Sequence, residues 1–200
     1  MSPRGVAITD VRERLFDAAE RVLLRDGPGG LTNRAITGEA GCAKGLLYHH
    51  FSDLDDFTAQ LCLHHFERAA ARATAVLGRP GAATVTENVT AAAHALLGTS
   101  GPRIAALALT RAPVTERVRA AMRDGAPGLG TVEEALTAYI EAEQALGRVA
   151  RGTDSAALAL AVVGTTHHLL MTGWTSAPDP GERVSALVEA LLGNVAPGGA

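Results

Sequence analysis

Leu31-Thr32-Asn33-Arg34-Ala35-Ile36-Thr37-Gly38-Glu39-Ala40-Gly41-Cys42-Ala43-Lys44-Gly45-Leu46-Leu47-Tyr48-His49-His50-Phe51 is the stretch of this 200-residue chain whose reading decides the fold. Thr32 is a good N-cap, and the spacing predicts a short helix from there to about Ala40. Gly41 interrupts it, and a second short helix is predicted from about Lys44 to His50. Two short helices joined by a glycine-containing turn of about three or four residues form the pattern of a helix-turn-helix. By spacing alone the same pattern also fits an αα-hairpin in any helical protein.

Upstream, Asp10-Val11-Arg12-Glu13 reads as a capping box. Leu15, Ala18, Ala19, Val22 and Leu23 then recur at helical spacing as far as Asp26-Gly27. Downstream, Asp53 can cap a long helix with Asp55 and Asp56 in its first turn, where the helix dipole favours them. Phe57, Leu61, Phe66, Ala69, Ala73 and Leu77 carry that helix to Gly78. Glycine and proline then punctuate helices predicted at 84–97, 102–111, 114–124, 131–147, 154–173 and 181–193, with Thr131-Val132-Glu133-Glu134 as a further capping box. The expectation is an all-α protein: a helix-turn-helix head at 1–52 and a larger helical domain at 53–200.

Composition agrees. Hydrophobic residues are 47% and charged residues 20%, which excludes a disordered chain, and only 4% are aromatic, which favours helices over a β-sandwich. Two cysteines exclude a disulfide scaffold, and Cys42 reads as a small apolar residue of the turn. No run of eighteen uninterrupted apolar residues and no apolar leader are present, so the expected setting is the cytoplasm with no membrane partner. The net charge of −3 hides an asymmetry: residues 1–51 carry seven Lys/Arg against six Asp/Glu, the remainder eleven against fifteen. Lys44 is the sole lysine.

The stretch 31–51, joined to the preceding helix with Arg14-Leu15-Phe16-Asp17-Ala18-Ala19, resembles the signature of the TetR family of transcriptional regulators over about residues 10–60. The resemblance implies a three-helix DNA-binding head on a helical ligand-binding domain. It also implies a homodimer that represses from a double-stranded operator until a small-molecule effector enters the body. The family's DNA-contacting positions fall on Thr32, Asn33, Arg34, Ala43, Lys44, Gly45, Leu46, Tyr48 and His49. These residue types suit the task. A helix N-terminus at Thr32 suits a phosphate, Arg34 can fork onto guanine, and small Ala43 and Gly45 let the recognition helix press into the major groove. Leu46 offers an apolar surface to a thymine methyl, while Leu47 and Phe51 should face inward. Leu54 stands where many members carry a phosphate-binding lysine, and Asp53, Asp55 and Asp56 around it would repel the backbone.

An enzyme is not expected: no GxSxG, phosphate-binding glycine loop or paired-carboxylate motif is present. No metal or cofactor is expected either. Adjacent residues such as His64-His65 and His167-His168 point about 100° apart on a helix and cannot both ligate one ion. The alternative function is a helical adaptor whose N-terminal hairpin binds a protein.

Two stripes mark the helix at 154–173. Ala157, Ala161, Gly164 and His168 form a small face suited to close helix crossing. With Val184, Leu187, Val188 and Leu191 of the last helix they are the expected dimer interface, a four-helix bundle with the partner's copies. Leu160, Val163, His167, Leu170 and Trp174 form the neighbouring stripe, expected to turn into the body. There it would oppose His94, Leu97, Met122, Tyr139 and Glu143 around a pocket for a neutral or mildly polar hydrophobic molecule.

Overall fold

The computed structural model describes residues 8–98, 101–109, 111–172 and 179–193. Every regular element among them is helical. α1 is Ile8–Asp26, α2 Asn33–Glu39, α3 Leu46–His50 and α4 Leu54–Val76, with a 3-10 turn at Pro28–Gly30. α5 is Val85–Leu97, α6 Gly101–Leu107, α7 Ala112–Arg123, α8 Leu129–Ala145, α9 Ser155–Thr172 and α10 Pro180–Leu192. The helix order is the expected one, and the boundaries shift by a few residues. Asp10 is no N-cap, since α1 already runs from Ile8. Nor is Thr131: α8 starts at Leu129, and the Thr131 hydroxyl accepts from Gly128 N at 3.3 Å. The capping box the protein does form is Thr84 with Glu87 at the start of α5.

Two compact units result, one of residues up to 64 with 103–123, the other of 65–102 with 124–200. The first is thus larger than a head ending at residue 52, because α6 and α7 pack within it. Its core gathers Leu15, Phe16, Val22, Ile36, Leu47, Phe57, Leu61, Ile104 and Val114, each at most 4% exposed. Phe16, Phe51 and Phe57 form one aromatic cluster, with Phe51 and Phe57 edge to face at 4.9 Å. Such pairs add about 0.5–1.5 kcal/mol each beyond area burial. Phe51 closes α3 and Phe57 opens α4, so the cluster holds the hairpin onto α1.

The second unit packs α5, α8, α9 and α10 around Val89, Leu136, Ile140, Val162, Leu169, Val184 and Val188. By length and apolarity alone α9 could cross a membrane; here Leu158, Val162 and Leu169 are buried in this core.

Candidate nucleic-acid interface

Thr32 caps α2 as its residue type demands: its hydroxyl accepts from Ala35 N at 3.2 Å. The turn that follows needs a left-handed residue, and Gly41 supplies it at φ 64°. Gly45 then starts α3 with an ordinary right-handed φ of −73°. Leu47 and Phe51 point into the core at 0% and 3% exposure, as their positions predict. Thr32, Arg34, Ala43, Lys44, Gly45, Tyr48 and His49 lie exposed along α2, the turn and α3, with Tyr48 55% exposed. Leu46 and Asn33 are half-buried, and the Asn33 amide is engaged with Lys44 O at 3.0 Å.

Charge pairing decides what this face can do. Arg21 and Arg25 of α1 both reach Glu39, at 2.8 and 2.9 Å, and Arg25 also holds Asp26. Arg34 and Lys44 have no ion pair among the described residues. Two uncompensated cations therefore stand on the surface that α2 and α3 present, beside exposed donors on Tyr48 and His49.

The acidic cluster at the start of α4 does not carry the repulsion expected of it. Arg117 of α7 grips Asp53 through both guanidinium nitrogens, at 2.9 and 3.0 Å. Arg111 lies 2.7 Å from Asp55. Asp56 accepts from Ser52 N at 2.9 Å and from Gln60 at 2.7 Å. Asp53 also caps α4, accepting from Asp56 N at 2.6 Å. Arg117 and this backbone donor hold the Asp53 carboxyl down at about 2. Arg117 and Arg111 sit some sixty residues away, and no local pattern announces them.

A carboxyl so depressed stabilises the fold fully above its unfolded value near 3.8 and loses that effect as pH falls towards about 2. Asp53→Asn is therefore expected to lower the thermal midpoint at neutral pH and to flatten its acid dependence between those two values. Parallel wild-type and variant curves across that window would remove Asp53 from the acid response.

The sequence-predicted pocket does not assemble. Leu160 is 58% exposed and His167 is exposed too, whereas Val163 and Leu170 are buried. The stripe straddles the edge of α9: its first and third members turn outward with Ala157, Gly164 and His168, and the other two turn inward. Trp174 lies outside the described residues, and Met122 belongs to the other unit. Tyr139 and Glu143 are buried in a structural cluster. Asn88 donates to the Tyr139 hydroxyl at 2.8 Å, and burial pushes that phenol up to about 12. Gly81 N donates to Glu143 at 3.0 Å, and Arg148 pairs with the same carboxylate. Only His94 and Leu97 line a cavity, one of about 750 Å³ bounded by α5, α9 and α10. Its wall adds apolar Pro102 and Leu169, and Asp179, Glu182 and Glu189 supply carboxylates. His94 Nε2 lies 2.9 Å from Ser185 Oγ and 3.1 Å from Gly181 O.

The dimer residues divide as well. Ala157, Gly164 and His168 are exposed and Ala161 is half-buried, but Val184 and Val188 are fully buried in their own subunit. α10 uses that valine edge to pack on α5 and α9, which leaves only half-buried Leu187 and Leu191 for a partner.

Residues 15–60 match the tetR family of bacterial regulatory proteins. No curated protein matches the chain. Among solved structures, a regulator from Mesorhizobium loti assigned to the TetR family is similar over 96% of this chain and 100% of its own, at 16% identity and TM-score 0.73. A transcriptional regulator from Rhodococcus sp. RHA1 covers 92% and 97%, at 22% identity and TM-score 0.68. FadR from Bacillus subtilis in complex with stearoyl-CoA covers 92% and 98%, at 16% identity and TM-score 0.63. These likenesses show the fold, and the matched head carries the activity. Residues 15–60 thus form a DNA-binding head of the tetR family of bacterial regulatory proteins, and the chain is a DNA-binding transcriptional regulator.

Proposed function

We propose that this regulator is a cytoplasmic repressor. In this reading it binds an inverted-repeat operator as a homodimer and leaves it when a small amphipathic molecule occupies the body. The observation that carries the DNA half is the selective pairing of charge. Arg21 and Arg25 of α1 and Asp53 and Asp55 at the start of α4 are held in ion pairs, and Arg34 and Lys44 on the α2–α3 face are not. The cavity beside His94 supports the effector half, since about 300–1,000 Å³ is the usual size of a ligand site. Its apolar wall with three carboxylates suits a non-anionic molecule. The stearoyl-CoA complex of a structural neighbour supports a small-molecule effector in a body of this fold. The uncharged outward face of α9 supports dimerisation.

For release, the effector must bind one arrangement of the heads better than the other; affinity alone shifts nothing. Operator binding followed by fluorescence anisotropy tests the DNA half. If a dimer meets roughly six to eight phosphates, log affinity falls against log salt with a slope of about −5 to −7. Lys44→Ala, which removes one cation from each subunit, should make that slope shallower by about 2. A flat salt response, or an unchanged slope in the variant, would place the contact surface elsewhere.

A further inference from the structure

The amide of Asn33 is engaged within the hairpin itself. Its Nδ2 donates to the carbonyl of Lys44, across the turn and eleven residues away, at 3.0 Å. Its Oδ1 is enclosed and has no hydrogen-bond partner among the described residues, so it offers nothing to a base edge. Lys44 immediately precedes Gly45, the N-cap of α3. The amides of α3 use the carbonyls on either side of Lys44: Leu46 N donates to Ala43 O at 2.9 Å and His49 N to Gly45 O at 3.1 Å. The Lys44 carbonyl takes part in neither of these bonds. Asn33 supplies its donor. The backbone beneath Asn33 is itself fixed, because Thr37 Oγ1 donates to Asn33 O at 2.7 Å and Cys42 N donates to Thr37 O at 2.9 Å. Asn33, Thr37, Cys42 and Lys44 thus form one hydrogen-bonded strap across the turn. Asparagine in the first turn of a helix, just after a threonine cap, is a weaker helix former than alanine or an apolar residue of its size. An apolar residue there could not reach Lys44 O with a proton.

We propose that Asn33 is a positioning residue for DNA binding: it acts through Lys44, setting the backbone from which that side chain approaches the groove, and makes no DNA contact of its own. This rests on the DNA-binding activity of the head. The test is a double-variant cycle on an operator selected by the wild-type protein from a random duplex library, with an unselected duplex of equal length as control. Asn33→Ala should weaken operator binding about tenfold or more, one brace being lost in each subunit. It should leave the affinity for the unselected duplex and the salt slope unchanged. Amide exchange at Gly45 and Leu46 should rise while the thermal midpoint of unfolding stays within a few degrees. Lys44→Ala should weaken binding to both duplexes and make the slope shallower, and the double variant should bind the operator no more weakly than Lys44→Ala alone. Asn33→Leu, of similar size but without a donor, should repeat the result and serves if the alanine variant folds poorly. Additive losses, a shallower slope from Asn33→Ala alone, or full operator affinity in both Asn33 variants would overturn the assignment.

Discussion

Gly164→Arg should convert the proposed dimer to monomers, measured by light scattering, and weaken operator binding by about 100-fold or more, because two linked heads bind far more tightly than one. The effect follows from the face on which Gly164 stands. α9 holds no Asp, Glu, Lys or Arg from Ser155 to Thr172, and its outward side presents Ala157, Leu160, Gly164 and His168 to the surface. Small side chains at successive turns allow two helices to approach closely, and an arginine at the centre would both hold them apart and bury an unpaired charge. The subunit itself should not suffer. A Cβ added at Gly164 meets nothing within 4 Å, and a non-glycine residue inside an exposed helix gains about 0.5–1 kcal/mol in backbone entropy. The variant should therefore melt no lower as a subunit, apart from the loss of linkage to dimerisation. A particle of unchanged mass would move the interface off α9.

Glu143→Ala should destabilise the second unit by about 3–5 kcal/mol, the usual result of removing one member of a buried ion pair. Glu143 is 0% exposed, and Arg148, with its side chain 31% exposed, lies 3.1 Å from it. Arg148 remains partly solvated after the change, which favours the lower end of that range. The carboxylate also accepts from Gly81 N at 3.0 Å. Arg148 in turn donates to the Ala83 carbonyl, in a loop where Ala83 holds a φ of 53°. Losing the carboxylate frees both the guanidinium and the strained loop between α4 and α5. For a protein of this size about 3 kcal/mol lowers the thermal midpoint by about 6–12 °C. Glu143→Gln keeps an acceptor for Gly81 and should fall between the two. A midpoint within 2 °C of wild type for the alanine variant would show that the cluster contributes little.

The head was legible in the sequence because its signals are local. The Thr32 cap, the Gly41 turn, the inward Leu47 and Phe51 and the Asp53 cap each depend on residues within about one helical turn. The body was legible only as a succession of helices. An apolar arc wider than half a helix does not say which edge turns inward. That ambiguity misassigned Leu160 and His167, which point outward, and Val184 and Val188, which are buried.

By itself, then, the sequence determined an all-helical chain, the helix-turn-helix at 31–51 and the surface of that hairpin on which Arg34, Lys44, Tyr48 and His49 stand. Side-chain period and capping are properties of neighbours along the chain, and they survive without knowledge of the fold. Only the tertiary structure decided that Arg117 neutralises Asp53, that Asn33 braces Lys44, that Tyr139 and Glu143 belong to a structural clamp and that His94 faces a cavity. Each of these includes a contact between groups eleven to ninety-one residues apart. A charge or amide carries no mark of a partner that distant. It acquires one when hydrophobic packing brings the helices together, and the cost of leaving a buried polar group unmatched then selects the pairs that persist.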